Sequence, residues 1–184
     1  MNLIEKREEY TIRLSGIELG NHKYSMICDK AFFELTELNE IVDGTIHVQI
    51  EMEKSANMLS LNFKFVGEIT ALCDRCLDFL TIPLDFTEFL VVNLVSHVDE
   101  SFENIDNIWQ LHEKAHELDL QHFLYESIKL ALPTQLIHPN DNNGKSTCNP
   151  EMLHKLAQLT PKEYESTETD PRWDALKQLK VTNH

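Results

Sequence analysis

Glycine is scarce in this chain, five residues in all, which leaves little material for a phosphate-cradling loop. No P-loop, no dinucleotide fingerprint and no G-x-S-x-G elbow occurs. Basic residues are also few, 16 against 31 acidic ones, for a formal charge of -15 at pH 7. Such a surface repels phosphate backbones and suits basic protein partners. Four cysteines are too few for a secreted disulfide scaffold. The opening stretch MNLIEKREEY has no apolar core of the kind a secretory leader needs, and no apolar run reaches bilayer-spanning length. A reduced, cytoplasmic setting is the expectation. No two carboxylates are paired in a recognisable cleft, so the chain does not read as an enzyme.

What is present centres on residues 66–80, VGEITALCDRCLDFL. Cys73 and Cys76 form a C-x2-C pair, and two thiolates so spaced turn toward one point, suiting a metal or a disulfide. Thioredoxin-type pairs sit between a strand and a helix, where the helix N-terminus lowers a thiol pKa. Here Phe79, Ile82, Leu84, Phe86 and Phe89 follow with strand-like spacing, so the pair lies on a hairpin link.

The surrounding pattern predicts an α+β fold, an antiparallel β-meander of about four to six strands. Ile46, Val48, Ile50 and Met52 alternate with His47, Gln49 and Glu51, and Leu59, Leu61, Phe63 and Phe65 repeat the pattern after a polar turn over 54–57. A short strand is expected over 10–14, and the strand after the C-x2-C link continues to about Leu94. Residues 17–41 stay open between strand and helix, with Cys28 read as a small buried hydrophobe. The acidic run over 96–117 reads as solvated loop or edge. A packed helix is expected near 119–132, with Leu120, Phe123, Leu124, Ile128 and Ala131 on one face, Asp119 at its start and Pro133 stopping it. A short helix follows over 150–159. The organisation expected is one α+β domain over 1–160, then a polar linker and a short C-terminal helix over 161–184. Asp170 caps that last helix, Pro171 opens it, and Trp173, Leu176 and Leu179 give it an apolar stripe.

Two constellations carry candidate chemistry. His112, Glu113 and His116 spell H-E-x-x-H, in which two histidines one helical turn apart bind zinc and the glutamate acts as base. Here the helical pattern starts only after the motif, and little apolar face accompanies it, so coincidence is the better explanation. Cys73, Cys76, His138 and Cys148 form the other set. If the four converge, they make a closed structural zinc site that pins the late loop onto the hairpin; otherwise the thiols are reduced side chains at a turn. Spacing alone does not decide, because nine residues separate His138 from Cys148.

CDRCL after a strand ending in GEIT, then ELDLQHFLYESIKLALP, then the His138–Cys148 loop, then DPRWDALKQL, resemble the YceD-like proteins in order and rough spacing. The resemblance runs over about 59–180. It implies a non-enzymatic bacterial factor for accumulation of 23S rRNA, hence biogenesis of the large (50S) ribosomal subunit. It also puts 112–116 in a variable lead-in where nothing catalytic is expected. Joined to the charge, the resemblance points to a basic ribosomal protein or an assembly intermediate as partner, with RNA contact indirect. The segment Asp170, Pro171, Arg172 and Trp173 is a candidate partner handle. Direct RNA binding through Arg172, Trp173, Lys177 and Lys180 is the weaker alternative, since basic and aromatic residues are not interleaved.

Overall fold

The structure is a computed structural model and describes residues 10–36, 38, 40–98 and 107–159. The chain divides into two compact units, Met1–Cys148 and Asn149–His184. The expected α+β class is observed: a five-stranded, mostly antiparallel sheet with short helices.

In the first unit, β2 (Gly20–Asp29), β3 (Ile41–Lys54), β4 (Met58–Leu72) and β5 (Phe79–Val95) pair antiparallel in sequence order. A period of two puts Ile46, Val48, Ile50 and Met52 on one face with Leu59, Leu61, Phe63 and Phe65, and all eight are buried. Register sets Ile50 opposite Phe63 and Phe65 opposite Phe86. The last two rings stack with centroids 4.4 Å apart.

The sheet departs from a pure meander at one edge. Residues expected to be acidic loop contribute β6 (Ile108–His112), which pairs parallel to β5 with Val91 opposite Ile108 and Val95 opposite His112. A parallel neighbour needs a long crossover instead of a tight turn, and the acidic connection supplies that length. A second, two-stranded ribbon joins β1 (Thr11–Arg13) to β7 (Glu117–Asp119), with Ile12 opposite Leu118.

Helices close the core face. α1 (Lys30–Leu35) settles the ambiguous 17–41 stretch: the Asp29 carboxylate accepts the amides of Ala31 and Phe32 at 2.9 and 3.2 Å, and Phe32 and Phe33 are buried. α2 spans Gln121–Ala131, beginning later than the pattern implied because Glu117–Asp119 is drawn into pairing with β1. Its N-cap position is Leu120, while the neighbouring Asp119 carboxylate accepts the Gln121 amide at 2.9 Å. Phe123 packs 4.7 Å from Phe63 and 5.9 Å from Trp109, tying helix, central strand and edge strand together.

In the second unit, α3 (Pro150–Leu159) has Asn149 before it, whose side-chain oxygen accepts the Glu151 amide at 3.0 Å. The helix expected over 170–180, with Asp170, Pro171, Arg172 and Trp173, lies outside the described residues. Among the described residues no helix is long and apolar enough to cross a membrane.

Candidate metal centre

β4 ends at Leu72 and β5 starts at Phe79, so the C-x2-C occupies the turn between two long paired strands. Backbone bonds shape that turn: the Cys73 amide donates to Asp78 O at 2.9 Å and the Leu77 amide to Cys73 O at 2.8 Å. Leu77 takes φ 62 there, a left-handed conformation that costs a leucine on the order of 1–2 kcal/mol.

The late loop is clamped to this turn at two points. The Asp74 amide donates to Leu136 O, and the Asp74 carboxylate accepts the Leu136 amide, both at 2.7 Å. Between His138 and Cys148 the chain folds back on itself. Asn140 bridges Ser146, Asp141 accepts the amides of Asn143 and Lys145, and Gly144 adopts φ 78 to close the turn. Thr147 Oγ1 donates to Pro139 O at 2.7 Å. Nine intervening residues therefore return Cys148 beside His138.

The four ligand atoms lie within 4.8 Å of one another, and among the described residues they are the one such cluster of His, Cys, Asp or Glu. Cys73 Sγ is 3.8 Å from Cys148 Sγ, too far for a disulfide, and none of the three thiols is disulfide-bonded. His138 Nδ1 is 3.4 Å from Cys76 Sγ and 3.9 Å from Cys148 Sγ. Metal–sulfur and metal–nitrogen bonds of about 2.3 and 2.0 Å in a tetrahedron give S–S edges of ~3.8 Å and S–N edges of ~3.5 Å. The observed separations fit one four-coordinate ion. The other ring nitrogen, His138 Nε2, is 3.1 Å from Phe79 O, and as a donor to that carbonyl it leaves Nδ1 unprotonated toward the thiols.

The electrostatics suit a cation as well. Burial pushes the Cys73 thiol up, but the amides of Cys76, His138 and Arg75 and the His138 ring more than offset it, bringing it down to about 6. The neighbouring Cys73 sulfur raises the His138 pKa against the opposing effect of burial, with Phe79 O and Cys148 adding to the rise. Thiolates are the metal-binding form, so the turn is arranged to hold negative sulfur.

The H-E-x-x-H reading does not survive the fold. His112 ends β6 and His116 precedes β7, so no helical turn aligns them. His112 Nδ1 accepts the Lys114 amide at 3.1 Å, while His116 Nδ1 lies 3.0 Å from Ser15 Oγ. A strand–turn–strand separates the two rings that zinc chemistry needs on one helical face. Two contributors to the cysteine cluster were not signalled by the sequence: the Asp74 clamp and the Phe79 carbonyl. Phe79 acts through its backbone carbonyl, and Asp74 through its amide and carboxylate against the Leu136 backbone; bonds to main-chain partners leave no residue-type pattern.

The family model described as Large ribosomal RNA subunit accumulation protein YceD matches residues 61–180. The chain belongs to this family. The matched span takes in the C-x2-C turn, the crossover, α2 and the late loop, so the cluster lies wholly inside it. Membership carries a role in accumulation of the large ribosomal RNA subunit. No curated protein and no solved structure matches the chain.

Proposed function

We propose that this YceD-family chain acts in the cytoplasm as a non-enzymatic factor for 23S rRNA accumulation and 50S subunit biogenesis, binding a basic ribosomal protein or an assembly intermediate. Family membership supports the process, and the charge of -15 supports the class of partner. The observation that carries the non-enzymatic reading is the closed donor set. Three thiols and one imidazole within 4.8 Å of one another supply the four donors of a structural zinc site, a set that would leave no position for water or substrate. Zinc held by Cys73, Cys76, His138 and Cys148 pins the late loop to the β4–β5 turn and supplies no chemistry beyond that anchoring. The 170–173 segment is a further partner contact in this reading.

Two measurements test it. Metal analysis of the untagged protein is expected to give one zinc per chain, lost in Cys76→Ser; retention in that variant counts against the site. Co-sedimentation with large-subunit precursors is expected to fall as salt rises and to weaken when acidic residues over 96–117 are reversed in charge. Association indifferent to both changes removes the electrostatic mechanism.

A further inference from the structure

The turn that carries the thiols also presents three large apolar side chains to solvent. Leu72 is 44% exposed, Leu77 62% and Phe79 67%. Leu72 and Phe79 are directly opposed across β4 and β5, on the face away from the core, since their neighbours Ala71 and Leu80 are the buried pair. Leu77 stands in the turn between them at φ 62, where glycine would be relaxed. The left-handed backbone closes the cysteine turn, which glycine would do without strain, so the exposed leucine side chain itself adds nothing to the fold, and strain of this kind concentrates at positions held for binding.

The patch is also fixed in place. Cys73 and Cys76 lie within the same turn, and the Phe79 carbonyl accepts from the ligand histidine. Its rim is acidic on balance: Asp74 and Asp78 flank Arg75, and Glu68 lies further along the same outward face of β4. Lys23, Lys64 and Lys129 are already ion-paired with Glu51, Asp85 and Glu40, so the chain's excess charge is carboxylate. Phosphate is disfavoured beside such a rim, whereas a cationic polypeptide with apolar side chains satisfies both the hydrophobic centre and the border.

We propose that Leu72, Leu77 and Phe79, presented by the cysteine turn, form the surface on which the chain seats an apolar-bearing segment of a basic polypeptide. This rests on the reading of the chain as a binder of basic partners, and it names the surface.

The test uses the full-length, metal-loaded chain and three probes: a synthetic peptide of lysine, arginine and leucine, the same peptide with serine for leucine, and an RNA hairpin. The leucine peptide is expected to bind tightest, and Leu77→Ser with Phe79→Ser to weaken it about tenfold while metal content stays that of the parent protein. Leu77→Gly separates binding from folding: relieving the strain keeps or raises Tm, yet affinity for the leucine peptide still falls. A double variant that binds like the parent, or a serine peptide that binds as well as the leucine one, overturns the surface while the basic-partner reading stands. Failure of both peptides to bind, with or without capture of the hairpin, overturns that reading and the surface together.

Discussion

At Cys28, burial first and the adjacent Asp29 carboxylate second push the thiol up to about 12, whereas Cys73, shielded from solvent but set far less deeply, comes down to about 6 because amide donors and His138 surround its sulfur. The same side chain is thus a small hydrophobe in one place and a thiolate-prone member of a Cys/His cluster in the other. Cys28 is expected to stay unmodified by iodoacetamide at neutral pH in the native protein and to react once denatured, as read by peptide mass mapping. Labelling at the denatured rate would contradict its enclosure. The sequence distinguished the two positions, since Cys28 had no second thiol near it while Cys73 had one three residues on, and the burial expected of Cys28 is observed. It left His138 and Cys148 undecided, because their approach depends on the turn around Asp141 and Gly144, whose geometry is not written in ligand spacing.

Among the elements, β3 and β4 approach each other closely at Gly67. A Cβ placed on Gly67 would sit 2.1 Å from Thr45 O and 2.7 Å from Ile46 Cα, both backbone atoms of the facing strand. Neither can rotate away, so Gly67→Ala must push two central strands apart. The expected loss is about 3 kcal/mol in denaturant unfolding, and a change below ~0.5 kcal/mol would show that the strands have room. β3, β4 and β5 were legible because each carries its own alternation, whereas β2, within the 17–41 stretch left open between strand and helix, was not. The short β6 and β7 were not. Ile108–His112 pairs in parallel with a strand reached through a crossover, and Glu117–Asp119 pairs with Thr11–Arg13 about a hundred positions away. Neither pairing is foreshadowed by a local turn, and a few residues at an edge carry too little periodicity to declare themselves. The same pairing trimmed α2, taking Asp119 from the expected helix into a strand.

On the scale of the whole molecule, the metal cluster is a satellite of the fold. The main core gathers residues from Tyr10 through Ile128, including Phe32, Phe63, Phe65 and Phe123, without Cys73, Cys76, Leu136 or Cys148. Burial of that core drives folding of the first unit, while the cluster holds one loop to one turn. Treatment with a strong chelator is therefore expected to open 134–148 to limited proteolysis while the far-UV signal of the sheet persists. Complete unfolding on metal removal would mean that the core depends on the ion.

The sequence by itself determined the class of fold, the faces of the long strands, the four thiol and imidazole candidates for one cluster and the acidic character of the chain. These are local or summed properties: alternation with period two, caps and stops, residue chemistry and net charge. Only the tertiary structure decided that the ligands converge, that H-E-x-x-H is split between two strands, and that Leu72, Leu77 and Phe79 share one exposed surface. Each of those is a relation between distant segments, set by register and by backbone hydrogen bonds such as Asp74 to Leu136. Loop closure over some sixty residues leaves no periodic trace in the chain that it joins.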